Sequence, residues 1–341
     1  MPITTSPIDG KYKYIILGSS WDVYFNAYND ILHRPDVIYK KGIATNMFEK
    51  LALYVHFHPR INKLINIPGK ALWATRFITV PFNDDRNLCF IIFYNWICLE
   101  IGIIDAIKKK YPKAKIVIIF NDLISKQKYQ FSHRTLNIEH LKKQADLVIT
   151  YDFNEAKKYN ISQFNVPYSK PDFDVSIKKS KYDVYFIGQA KDRFDEIMKA
   201  FYTLRSYNLR LKFVVSNLAP EYRIQDPEIT YVDGMGLSYA ENIENILCSN
   251  CLLEISQKNA NGYTLRTYEA IAYGKRLISN NQLLKDAPFY NPDYIYVTNT
   301  FNYIPSDYIK SIKQGDEVNY NYIEELSPIK LLEFIEAKLN K

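Results

Sequence analysis

Two Rossmann-like α/β domains in tandem, facing each other across a cleft, are what this sequence predicts. Three observations carry that expectation. Apolar runs of strand length alternate with helical-period segments in both halves, the mark of βαβ units and a parallel sheet. Two strands, "YKYIILG" (12–18) and "YDVYFIG" (182–188), end in glycine, and each starts that rhythm anew. At 341 residues the chain is long for one core and natural for two domains. The expected domains are 1–168 and 169–341, linked through the proline-containing, aperiodic stretch 164–181.

In the first half, the strand at 12–18 leads into "SSWD" and a helical or irregular region to residue 63. "CFIIFYN" (89–95) reads as a strand, 97–110 as a helix, "KIVIIFNDL" (115–123) as a strand, 138–145 as a helix and "DLVITYD" (146–152) as a strand. The second half follows with strand 182–188, an amphipathic helix over 191–207, strand 209–217 and a short strand 229–234. Ser238, with Glu241 three residues on, predicts a capping box opening a helix over 238–250. "CLLEIS" (251–256) is a strand. In "NGYTLRTYEAIAYGKRLIS" (261–279), a loop precedes a helix capped by Thr264 and closed by Gly274, and then the strand 276–279. "YIYV" (294–297) and a last helix over 327–341, with Ser327 as cap and Pro328 in its first turn, complete the chain.

Composition narrows the function classes. With 47% hydrophobic and 24% charged residues the chain is an ordinary globule. "LCFIIFYNWICLEIGIIDAI" (88–107) is long enough to span a membrane, but Asn95, Glu100 and Asp105 interrupt it, and it reads as strand then helix. The N-terminus lacks a basic start followed by an apolar stretch, so no signal peptide is expected. Cys89, Cys98, Cys248 and Cys251 are expected as packed free thiols, and reduced cysteines suit the cytoplasm. No G-x-G-x-x-G follows either glycine-ended strand and no Walker-type P-loop is present. Asp84-Asp85 lacks metal spacing, and His56-Phe57-His58 suits surface or core roles better than ligation.

The net charge of +7 is uneven. Residues 1–170 hold 24 Lys and Arg against 14 Asp and Glu, and residues 171–341 hold 20 against 23. A basic first half suits an anionic partner as well as a plain solvated surface. Lys40, Lys41, Arg60, Lys63, Lys70 and Arg76 are the candidates for such a face.

In open parallel sheets ligands sit beyond the carboxyl ends of the strands. Four loops there are candidates: Gly18-Ser19, Gly188 through Lys191 and Arg193, Ser216-Asn217, and Asn261-Gly262-Tyr263. The last leads into the helix start Thr264-Leu265-Arg266. A helix N-terminus there suits a diphosphate, and Arg266, Lys191 and Arg193 add charge. Glu269 has two readings. It is placed to take a ribose diol, or it is simply the i,i+3 partner of Arg266.

"YDVYFIGQAKDR", "NCLLEISQKNANGYTLRTYEAIAYGKRLISNN" and "PFYNPDYIYV" resemble the nucleotide-sugar-binding half of bacterial GT-B glycosyltransferases of capsule, lipopolysaccharide and exopolysaccharide synthesis. The resemblance covers roughly 180–300 well and the first half weakly, through "IIFNDL" and "ADLVITYD". It implies a GT-B fold and transfer of a sugar from a nucleotide-diphosphate sugar, UDP-type, to a glycan or lipid-linked acceptor, without a metal or other cofactor. Glu269 matches the second glutamate of the E-x7-E pattern, which implies a ribose contact, while Asn261 stands where the first would be. Gly262, Tyr263 and Thr264 match the turn that holds the diphosphate. If the reaction inverts, the base comes from Asp122, Asp22 or His133. The expected setting is cytoplasmic, peripheral on the inner membrane face, with an anionic membrane surface as partner. Nucleic acid is not expected, because no RNP, KH or zinc-finger pattern is present. A GT-B sugar-nucleotide epimerase and a non-catalytic GT-B-like subunit are the alternatives.

Overall fold

The structure, a computed structural model, describes residues 11–340 apart from 20, 42–46, 66, 83–86, 131, 172–179, 235 and 258–260. The chain forms two compact units. One runs to Ser169 and takes back the chain from Ser327, and the other is Lys170–Leu326.

The first unit is built on β1 (Lys13–Leu17), α1 (Asp22–Asn26), α2 (Asn29–Leu32), β2 (Val37–Lys40), α3 (Met47–Phe57), α4 (Pro59–Leu64) and α5 (Lys70–Ile78). β3 (Leu88–Phe93), α6 (Tyr94–Cys98), α7 (Ile103–Lys110), β4 (Lys115–Phe120), α8 (Ile138–Gln144), β5 (Leu147–Thr150), α9 (Phe153–Tyr159) and β6 (Ser162–Gln163) follow. The strands form one parallel sheet in the order β2-β1-β3-β4-β5-β6. β3 is buried along its whole length, as a strand covered on both faces must be. The expected helix 97–110 is broken into α6 and α7. Glu100 and Gly102 take positive φ there, 53° and 66°, and turn the chain between them. His56 lies in α3.

The second unit holds β7 (Tyr182–Gln189), α10 (Phe194–Ser206), β8 (Leu211–Ser216), β9 (Ile229–Val232), α11 (Tyr239–Leu247) and β10 (Ser249–Glu254). α12 (Leu265–Ala272), β11 (Arg276–Ser279), β12 (Ile295–Val297) and α13 (Ser306–Gln314) complete it. Its parallel sheet runs β12-β11-β10-β7-β8-β9. The Ser238–Glu241 capping box forms as expected. α12 begins at the Thr264 cap, whose hydroxyl accepts from Arg266 N–H at 3.1 Å. It ends in a left-handed Gly274 (φ 59°), with Lys275 N–H bonded back to Ala270 O at 2.9 Å.

The last helix, α14 (Pro328–Leu339), belongs to the first unit, not to the second domain where the sequence places it. Leu331, Leu332 and Ile335 are buried in the first unit's core. Phe334 packs on Phe164 at 4.9 Å, and Ser327 donates to Asp30 at 2.7 Å. An apolar helical stripe docks wherever a sheet leaves an uncovered apolar face, and chain order does not say which sheet that is. No helix among the described residues is long and apolar enough to cross a membrane. All four cysteines are free, and burial pushes the Cys89 and Cys251 thiols far up.

Candidate functional site

In the second unit the strand order reverses between β7 and β10. Such a reversal leaves a crevice at the carboxyl ends of the two strands, where open α/β sheets take their ligands. Arg193 lies across it. Its guanidinium donates to Ile255 O on one side and to Gln189 O at 2.9 Å on the other. In the sequence reading Arg193 adds charge for a diphosphate. In the structure the side chain is buried and joins the ends of β7 and β10.

β10 ends in Glu254, only 3% exposed and surrounded by hydroxyls. Thr264, Thr267 (3.2 Å) and Ser279 all donate to its carboxylate. One carboxylate therefore ties the cap of α12, its first turn and the end of β11 together. Ser279 Oγ accepts from Asn281 N–H at 3.0 Å, and Asn281 Nδ2 donates to Gly262 O at 3.0 Å. Tyr263 packs edge-on against Phe289, with centroids 5.1 Å apart. The loop 261–264 is thus held from beneath and from both sides. Helix geometry leaves the N–H groups of Leu265 and Thr267 without intrahelical partners at this fixed N-terminus, which suits an anion. Glu254, Thr267, Ser279 and Asn281 were missed from the sequence. The available signal was one carboxylate closing an otherwise apolar strand, "CLLEIS".

Arg266 and Glu269 follow the second of their two sequence readings. Glu269 is 3% exposed; one oxygen accepts from Asn242 Nδ2 at 2.8 Å and the other lies 2.6 Å from Arg266 Nη1. The two charges meet closely but off the axis of a hydrogen bond, since neither atom makes one. Tyr185 donates to Asn242 Oδ1 at 3.1 Å, and the Arg266 guanidinium stands 5.5 Å over the Tyr185 ring. This ring of four side chains closes on itself inside the unit. Burial pushes the Glu269 carboxyl up, while Arg266 and Asn242 oppose the shift. The structure thus pairs with each other the two groups that the resemblance gives to the ribose and the diphosphate.

Gly188 lies near the end of β7, half-buried. Asn217 follows β8, exposed and left-handed at φ 55°. Asn261 is half-buried at the start of the loop. Lys191 opens a 3-10 turn, and its side chain lies outside the described residues.

Gly18 and Ser19 belong to the first unit, at its own strand reversal between β1 and β3. Gly18 O accepts from Trp96 Nε1 at 2.8 Å, and a Cβ on Gly18 would fall 2.1 Å from the Tyr39 ring. Tyr39 also donates to Ser19 O at 3.2 Å. Asp122, exposed after β4, accepts from Leu123 N–H at 2.8 Å. Buried Glu155 accepts from Ile124 and Ser125 N–H at 2.7 and 2.9 Å and fixes that loop. Asp122 faces tyrosines: burial and then its charge push the Tyr24 hydroxyl up to about 12 and raise Tyr151 as well. Asp22 stands exposed in the first turn of α1, and His133 is exposed with φ 54°. Of the basic face, Lys40 donates to the Phe77 and Thr79 carbonyls, Lys41 lies 3.3 Å over the Phe25 ring and Arg76 pairs with Glu49. The described residues bring together no group of three or more His, Cys, Asp or Glu fit for a metal. Asp84 and Asp85 lie outside the described residues.

No protein-family model matches the sequence, and no curated protein matches it. Solved structures do match. An α-glucosyltransferase in complex with UDP and a 13-mer DNA containing an HMU base has 13% identity, 96% coverage of this chain, 99% coverage of that chain and a TM-score of 0.54. The starch synthase IV catalytic domain from Arabidopsis thaliana, bound to ADP and acarbose, covers 74% and 73% at 10% identity, TM-score 0.45. The glycosyltransferase SnogD from Streptomyces nogalater covers 96% and 99% at 9% identity, TM-score 0.41. With its two parallel six-stranded sheets, the chain has the GT-B fold. The exclusion of nucleic acid drawn from the sequence is corrected here. The glucosyltransferase whose fold matches along 96% of the chain is bound to DNA, so lacking an RNP, KH or zinc-finger pattern is no ground for that exclusion.

Proposed function

We propose that this chain is a glycosyltransferase that binds a nucleoside-diphosphate sugar at the N-terminus of α12. The observation that carries the reading is the braced loop 261–264, fixed by Glu254 and Asn281 beside the β7/β10 reversal. A preorganised helix N-terminus stabilises the charge that builds on a departing diphosphate, and it does so without rearranging during the reaction. The backbone of Gly262 through Leu265 would hold the diphosphate, with Gly188, Asn217 and Asn261 at the neighbouring strand ends. Arg193, Arg266 and Glu269 serve as framework. The fold shared with a UDP-bound glucosyltransferase supports UDP as the first donor to test. In the first unit, Asp122 among its tyrosines is the candidate base.

For the acceptor, the resemblance in residues 180–300 favours a glycan or lipid-linked acceptor in cell-surface polysaccharide synthesis, with metal-independent transfer. A second reading, a nucleic-acid acceptor, is favoured by the DNA-bound neighbour. The test is transfer of radiolabelled sugar from UDP-glucose and other donors, with and without EDTA. Lipid extracts, oligosaccharides and hydroxymethyl-base duplex DNA are offered in parallel. Label on DNA selects the second reading and label on lipid or glycan the first. Nucleotide binding without any transfer leaves a non-catalytic subunit, and isomerised donor without acceptor an epimerase.

A further inference from the structure

Four neighbouring strands of the first unit send aromatic side chains and one acid to the same end of the sheet. The register sets Phe93 of β3 beside Ile119 of β4, and Phe120 beside Thr150 of β5. Tyr94, Asn121 with Asp122, and Tyr151 therefore leave the carboxyl end side by side. Trp21 and Tyr24 follow β1, which flanks β3. Tyr24, Tyr94 and Tyr151 are half-buried. Trp21 is 59% exposed, and its ring stacks on Tyr24 with centroids 6.4 Å apart. Tyr94 stacks on Phe120 at 6.0 Å.

The polar tips of this cluster lack partners. A buried phenol usually finds one, yet among the described residues none of the three tyrosine hydroxyls makes a hydrogen bond, and none is sealed off. Asn121 is 8% exposed, and its amide nitrogen is unpartnered too. Asp122 gives one oxygen to Leu123 N–H and keeps the other. Unmet groups gathered at strand ends are what a ligand or ordered water completes. Burial raises all three hydroxyls, so they stay protonated, and the charges acting on them are carboxylates: Asp122 on each, with Asp152 and Glu155 at Tyr151.

These features select the occupant. A phosphate or a uronate would meet the repulsion of the carboxylates. A bare ammonium would leave the phenol protons unmatched. A sugar ring offers a C–H face to the open indole and hydroxyls that both donate and accept. We propose that this end of the first unit holds the reacting end of the acceptor, and that this end is a non-anionic sugar stacked on Trp21 and hydrogen-bonded by Tyr24, Tyr94, Tyr151 and Asp122. The proposal rests on the glycosyltransferase reading and narrows its acceptor.

The test is saturation-transfer difference NMR of the full chain with methyl glycosides of glucose, galactose, mannose and N-acetylglucosamine, and with their 6-phosphates. The expected result is binding of at least one glycoside, with its 6-phosphate about tenfold or more weaker. Trp21→Ala should weaken that binding about tenfold, and Tyr94→Phe, which removes only a hydroxyl, about fivefold. UDP binding and thermal unfolding should be unchanged in both variants. No glycoside bound, a 6-phosphate bound as tightly, or a glycoside bound equally by both variants overturns the proposal. So does displacement of the glycoside by choline or by hydroxymethyl-base duplex DNA. UDP binding with no sugar bound sinks this site alone, while a sugar bound without any nucleotide sinks the donor reading and leaves the sugar site standing.

Discussion

Glu254 accepts from three hydroxyls at a place where an unpaired carboxylate would be costly. Glu254→Ala leaves those hydroxyls in a buried gap, and a loss of about 3 kcal/mol is expected from urea unfolding. Glu254→Gln should cost less, because it keeps one acceptor oxygen. The Arg266–Glu269 pair predicts a different pattern. Glu269→Leu strands a buried guanidinium and should cost about 3–5 kcal/mol, while Arg266→Met/Glu269→Leu together should be nearly neutral. A double variant as damaged as the single one would show the pair to be more than framework. The raised Glu269 carboxyl adds a pH signature. Above the ordinary value of 4.5 the unfolded chain releases this proton while the folded chain keeps it. Its contribution to stability therefore falls as pH rises from 4.5 to the raised value, and Glu269→Gln should remove that slope. At this scale the sequence exposed Arg266 and Glu269 as notable and left their pairing as one of two readings. It could not show Asn242 and Tyr185 as partners, since neither lies near them in the chain.

Helix limits were the most legible part of the chain, because caps act within a few residues. Ser238, Thr264, Gly274 and Ser327 all sit where their chemistry predicts. Gly274→Ala should cost about 1–2 kcal/mol, from its left-handed backbone and a Cβ 2.8 Å from Val318 O, and it should lower the melting temperature. The break between α6 and α7 was not legible, because helical spacing continues across it while Glu100 and Gly102 leave the helical region. Nor was the place of α14. Ending the chain at Leu326 should expose the core that Leu331, Leu332 and Ile335 cover. The first unit should then unfold at lower urea, while a fusion returning 327–341 restores it. An unchanged first-unit transition would mean that α14 contributes little there.

On the scale of the whole molecule, a nucleotide panel is decisive. A nucleotide at a hundredfold its Kd should add about 2.7 kcal/mol of stability, and the same shift in EDTA would show that nucleotide binding needs no metal. Thr264→Ala should weaken that shift, through loss of the cap that sets the loop. A panel of UDP, GDP, CDP and dTDP with no shift would remove the donor reading while leaving the fold untouched. What the sequence by itself determined was the two-sheet α/β architecture and most helix ends, since period and capping are local properties written in neighbouring residues. It also located the loop 261–264. Only the tertiary structure decided that Arg193, Arg266 and Glu269 are engaged within the unit, that Glu254 braces α12, that α14 returns to the first unit and that Met47, Phe48 and Leu51 of α3 stand exposed. Those outcomes depend on which distant groups meet in space. A buried charge takes whatever partner the fold brings to it, and spacing along the chain does not encode that partner.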